Sequence, residues 1–183
     1  KAARKEGIDV VINAVISKAN TENNLEGIKK LIELAEKLGC KLNFSALYMD
    51  QFNRNRVEAT FPSYEAHVNA LNFLKEYKKS FPNFIMFSDP CIEQLKKYEK
   101  WKKCYAGRLF CDLFPDGTVI PCLFKESEGV NGLKYGFVKA FKMLPEQSSC
   151  VCGSTCYNEL NHIFSLTPKS VFENLLKYIN LVK

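Results

Sequence analysis

At 183 residues, the chain is long enough to bury a core and short enough for one domain or two small ones. Apolar residues make up 46% and charged residues 25%, which excludes a disordered or fibrous chain. The formal charge of +6 sits mainly on lysines spread along helical stretches such as KKLIELAEK, which reads as solvated faces; a nucleic-acid partner is not expected.

No apolar run reaches the roughly 20 residues that cross a bilayer. The opening, KAARKEGIDV, carries no signal-peptide core. A cytoplasmic protein with no membrane partner is therefore expected. In that reducing setting clustered cysteines are read as metal or redox sites before disulfides.

In chain order, residues 1–6 read as the last turn of a helix, stopped by Gly7. Residues 8–17 read as a strand. Ile8, Val10, Ile12, Ala14 and Ile16 make one apolar face, and the other face carries Asn13 and Ser17. Asn20 or Thr21 can cap the next helix, where Leu25, Ile28, Leu31, Ile32, Ala35 and Leu38 recur at helical spacing. Gly39 ends it. Residues 41–48 repeat the strand grammar, with Leu42, Phe44, Ala46 and Tyr48 against Asn43 and Ser45. Strand, helix, strand with short links is a βαβ unit with parallel strands. Asn13, Ser17, Asn43 and Ser45 then share one sheet face. They are candidate cofactor-binding residues, against the plainer reading that each satisfies a neighbouring backbone group.

The loop DQFNRNRVEATFPS follows, and its Arg54 and Arg56 suit an anionic group. Residues 63–80 read as a helix carrying a structural His67, and residues 84–87 as a short strand. Asp89-Pro90 starts a helix expected to run to Lys103, with Asp89 as its cap. A domain boundary is placed there, giving domains 1–89 and 90–183.

Six of the eight cysteines then fall within residues 104–156. Buried thiols pack much as small hydrophobes do, so crowding implies that the sulfur itself is used. Residues 108–113 and 118–122 read as hairpin arms around Pro115-Asp116-Gly117. A two-residue loop would set Cys111 opposite Cys122, and a one-residue shift would break that pairing. A short helix is expected over residues 137–144, another after Cys156, and a last one from Thr167-Pro168.

Cys104 leads by Cys-x12-Gly-x4-Cys to Cys122, and a spacer of 27 residues precedes Cys150, Cys152 and Cys156. This pattern, within CYAGRLFCDLFPDGTVIPC and CVCGSTC, resembles the auxiliary iron–sulfur region of radical SAM enzymes, known as SPASM or twitch. The run IDVVINAVISKANTENNLEGIKKLIELAEKLGCKLNF resembles later strands of that family's partial barrel. The resemblance implies an α/β chain: a partial (incomplete) TIM-like βα barrel segment over residues 1–89, then a small α+β, Cys-rich twitch/SPASM-type domain with a β-hairpin. It implies one [4Fe–4S] cluster on Cys104 and Cys122, with Cys152 and Cys156 completing the set and Cys150 competing with Cys152. Gly117 and Gly153 would let backbone amides approach the sulfurs.

The family's Cys-x3-Cys-x2-Cys loop, whose cluster contacts S-adenosylmethionine, is absent. The chain is therefore expected to be the C-terminal part of a longer enzyme, inactive alone, with the missing N-terminal half as its partner and a peptide or small molecule as substrate. Alone, it is expected to aggregate through its unpaired first strand. Four thiolates also suit Zn²⁺, so a zinc-binding, four-cysteine interaction or nucleic-acid module is the alternative.

Overall fold

The computed structural model describes residues 2–47, 58–147 and 150–165. It is a mixed α/β chain with one parallel and one antiparallel sheet. Two compact units divide after Tyr98, with Gly153–Thr155 counted in the first. Tyr48, Arg54, Arg56 and the helix expected from Thr167 lie outside the described residues.

The first unit opens with α1 (Ala2–Lys5), which Gly7 ends at φ 75°. Strand β1 (Val11–Ile16) pairs in parallel with β2 (Lys41–Ala46), in a register that sets Asn13 beside Asn43 and Val15 beside Ser45. β1 begins later than the alternation implies, and Ile8 is exposed. Leu42, Phe44 and Ala46 face the core, as their period of two requires. The strand expected at residues 84–87 contracts to a single parallel bridge between Ile85 and Leu42, held by two backbone hydrogen bonds of 2.8 and 2.9 Å.

Helix α2 (Lys18–Leu38) links the two strands. Its cap is Ser17, not Asn20 or Thr21. The Asn20 side chain reaches back instead, accepting from the Ser17 N–H at 2.9 Å and donating to the Val15 carbonyl at 2.7 Å. Asn23, Asn24 and Leu25 break the helix with φ of 50°, 58° and 63°. Such values are disfavoured for residues with a Cβ, least so for asparagine. Beyond the break, Ile28, Ile32 and Ala35 are buried, and Gly39 closes the helix in the left-handed conformation.

Helix α3 (Tyr64–Ser80) is capped by the Ser63 hydroxyl, which accepts from the Ala66 N–H at 3.1 Å. It buries His67, Ala70, Leu71 and Leu74. Helix α4 (Asp89–Lys97) is capped by Ser88, which displaces Asp89 into the first turn. Left-handed Tyr98, at φ 50°, stops it well before Lys103. Cys91, Ile92 and Leu95 pack into the first core. That is why the division falls at Tyr98 and not at Asp89.

In the second unit, β3 (Asp112–Leu113), β4 (Thr118–Ile120) and β5 (Val130–Asn131) form an antiparallel sheet in that order. The hairpin pairs Asp112 with Ile120 and Leu113 with Val119. One step further, that register sets Cys111 against Pro121, so the two-residue loop and the Cys111–Cys122 pairing do not form. The turn instead uses Phe114 to Gly117, where the Asp116 carboxylate accepts from the Thr118 N–H at 2.9 Å. Helices α5 (Gly132–Tyr135) and α6 (Phe137–Lys142) follow, and Ala140 packs with Val119 and Leu144. Helix α7 (Thr155–Phe164) completes the described chain. Among the described residues no helix is long and apolar enough to cross a membrane.

Candidate metal centre

Cys104, Cys122 and Cys152 are each under 9% exposed and share one small cluster with Ala106 and Tyr157, lined by Trp101, Phe110 and Phe124. Cys150 joins them by hydrogen-bonding its thiol to the Cys104 sulfur. Cys150 also lies close enough to Cys152 and Cys122 to feel their charge. Thiols from two distant segments thus converge. They do not crowd onto a point: among the described residues, no three His, Cys, Asp or Glu side chains are spaced to hold one metal ion.

The electrostatics single out Cys104. The Cys150 thiol, and behind it the Ala106 amide and the Asn161 side chain, donate to its sulfur and outweigh burial, so its pKa falls to about 6. Cys150 moves the other way, because as the donor it keeps its proton and because burial disfavours its charge. Burial also raises Cys122, reinforced by the charge of Cys104. Of the two hydrogen-bonded thiols, Cys104 is therefore the one disposed to give up its proton first.

Helix α7 builds the wall behind the sulfurs. Asn158 and Asn161 are fully buried on one face, next to Tyr157. Asn158 donates to the Cys152 carbonyl at 2.8 Å and accepts from the Trp101 indole at 2.6 Å. The Cys150 carbonyl accepts from the Trp101 backbone amide at 3.2 Å. Asn161 accepts from the Tyr105 amide at 2.9 Å. Trp101 meets His162 edge-on, with ring centroids 4.6 Å apart. Neither asparagine stood out in the sequence. Their spacing of three on one helical face was a signal, but it carries no chemistry until the loops they hold are known.

Cys156 lies on the exposed side of α7 and outside this cluster, and Cys111 is exposed on the hairpin. Cys40 and Cys91 are buried in the first unit. Gly117, expected beside the sulfurs, forms the hairpin turn at φ 83°. The Gly153 carbonyl accepts from the Ala46 amide at 2.9 Å in the first unit.

Three of the four polar strand residues also meet. The Asn43 amide donates to Asn13 at 3.0 Å and to the Thr155 hydroxyl at 2.7 Å, and Ser45 lies 3.1 Å from that same hydroxyl. Thr155 is 1% exposed and was not anticipated. Ser17 stands apart, at the start of α2. No protein-family model and no curated protein sequence matches the chain.

Proposed function

We propose that the chain is part of a radical SAM enzyme and that its second unit carries an auxiliary [4Fe–4S] cluster on Cys104, Cys122, Cys150 and Cys152. The observation that supports this reading is the convergence of four thiols from the hairpin region and from the segment after the spacer. Thiolates are the ligands such a centre needs, and Cys104 is already disposed to be one. Cys150 takes the place expected of Cys156, which faces outward.

Bound there, the cluster would supply electrons or a coordination site for substrate. The protein's share is to exclude water with Trp101, Phe110, Phe124 and Tyr157, and to fix the two cysteine segments through Asn158 and Asn161. In the first unit, parallel pairing advances in chain order from β1 to β2 to Ile85, as it would in a βα barrel. Asn13, Asn43 and Ser45 would then line its interior, where S-adenosylmethionine or the substrate of the whole enzyme is held. Cleavage of S-adenosylmethionine is not assigned to these residues, because the cysteine triplet it needs is absent.

Anaerobic reconstitution followed by iron and sulfide analysis tests the reading. Wild-type protein and Cys156→Ala are expected to take up iron and sulfide. Cys104→Ala, Cys122→Ala and Cys150→Ala are expected to lose most of it. Equal iron in all of them, or a colourless protein with one equivalent of zinc, overturns the assignment.

A further inference from the structure

We infer that Asn161 is a positioning residue that sets the reduction potential of the centre by donating an N–H hydrogen bond to the Cys104 sulfur; this rests on the cluster reading above. Asn161 is 0% exposed, so both ends of its amide need partners. Its oxygen must face the Tyr105 backbone N–H, a donor only, at 2.9 Å. That choice fixes the flip of the side chain and turns the NH₂ group to Cys104 Sγ at 3.6 Å. The sulfur is thus the acceptor, a role a thiolate fills far better than a thiol. One side chain grips both the ligand atom of Cys104 and the amide that follows it in the chain.

The same grip bears on redox behaviour. An N–H pointed at a ligating sulfur stabilises the more negative, reduced form of an iron–sulfur core, and outer groups of this kind tune the metal they never touch. Asn158, earlier on the same buried face, has both ends of its amide engaged by the Cys152 carbonyl and by Trp101. The two asparagines therefore differ in kind. Asn158 holds backbone and indole, whereas Asn161 also reaches the sulfur.

The test compares the midpoint potential and the rate of iron loss to a chelator in reconstituted wild-type protein, Asn161→Leu and Asn158→Leu. Asn161→Leu keeps the volume and removes the donor. Its retained cluster is expected to shift to a more negative potential, with an altered electron paramagnetic resonance signal. Asn158→Leu is expected to lose iron faster with a much smaller shift. Should Asn161→Leu not fold, Asn161→Ser, too short to span both partners, is expected to shift the same way. An unchanged potential in the Asn161 variant that folds, or equal shifts at both positions, overturns the inference while leaving the cluster reading intact. Wild-type protein that takes up no iron and sulfide overturns both.

Discussion

The Tyr157 hydroxyl donates to an Asp112 carboxylate oxygen at 2.6 Å and accepts from the Leu123 amide at 3.1 Å. One phenol thus ties helix α7 to the hairpin and to the residue after Cys122. Burial and the acceptor carboxylate both push its ionisation upward, so it stays a donor at any working pH. Tyr157→Phe keeps the ring stacked on Phe110 but strands the Leu123 amide. Loss of about 2 kcal/mol in the stability of the second unit is expected. Denaturant unfolding of the two proteins, followed by circular dichroism, measures it.

His67 gives the first unit a pH dependence. Its Nε2 donates to the Leu95 carbonyl at 3.1 Å, while Nδ1 is buried with no partner among the described residues and the ring lies 4.7 Å from Tyr98. Burial lowers its pKa below 6.5, so the folded chain resists a proton that the unfolded chain accepts. The stabilisation is complete above the unfolded value of about 6.5 and is lost as pH falls through the lower folded value. His67→Gln should flatten that part of the stability profile. A wild-type melting temperature unchanged between neutral pH and pH 5 would contradict this.

Thr155→Val removes a hydroxyl that serves Asn43 and Ser45 together. Valine has nearly the shape of threonine, so the change mainly exchanges the buried hydroxyl for a methyl group. A cost of about 1 kcal/mol is expected, since Asn43 keeps its bond to Asn13. Thermal melts of the variant beside wild type read this directly.

Gly117 sits at φ 83°, and a Cβ there would come within 2.5 Å of Leu133. Gly117→Ala should therefore cost about 1–3 kcal/mol, part from the backbone and part from the clash. Leu133 is exposed and can be trimmed. Adding Leu133→Ala should recover the clash and leave the backbone share. A double-mutant cycle separates the two, and full recovery would mean the backbone conformation carries no strain.

Alkylation in metal-free protein should follow exposure. Cys111 and Cys156 are open to solvent, whereas Cys91 is completely buried in the first core. Peptide mapping after a brief pulse of iodoacetamide should find the first two modified and Cys91 untouched until local opening exposes it.

Much of the fold was legible because its signals are local. Alternation in β1 and β2, the apolar stripe of α2 and the glycine at its end each follow from backbone geometry, and the parallel pairing came with them. The hairpin register was not legible. Choosing between a two-residue and a longer loop turns on how Asp116 and Gly117 satisfy the turn, and one residue there moved Cys111 off Cys122. Helix α4 was read too long because nothing marks Tyr98 for the left-handed conformation. At the candidate centre, spacing drew attention to five cysteines but could not show that Cys156 faces solvent while Cys150 lies against Cys104. The outward turn of Cys156 follows from α7 burying Tyr157, Asn158 and Asn161 instead.

The reversed residues in α2 make that helix a sprung joint. Leu25 sits in a well about 1–2 kcal/mol above the ordinary one, and Asn23 and Asn24 tolerate theirs better. The burial of Leu25 opposes relaxation. Trimming Leu25 would weaken that latch, and rewinding would turn residues 18–22 about the axis and lift Asn20 from the end of β1. The tip of the first strand is thus held by Asn20, which reaches back to it from just before the break.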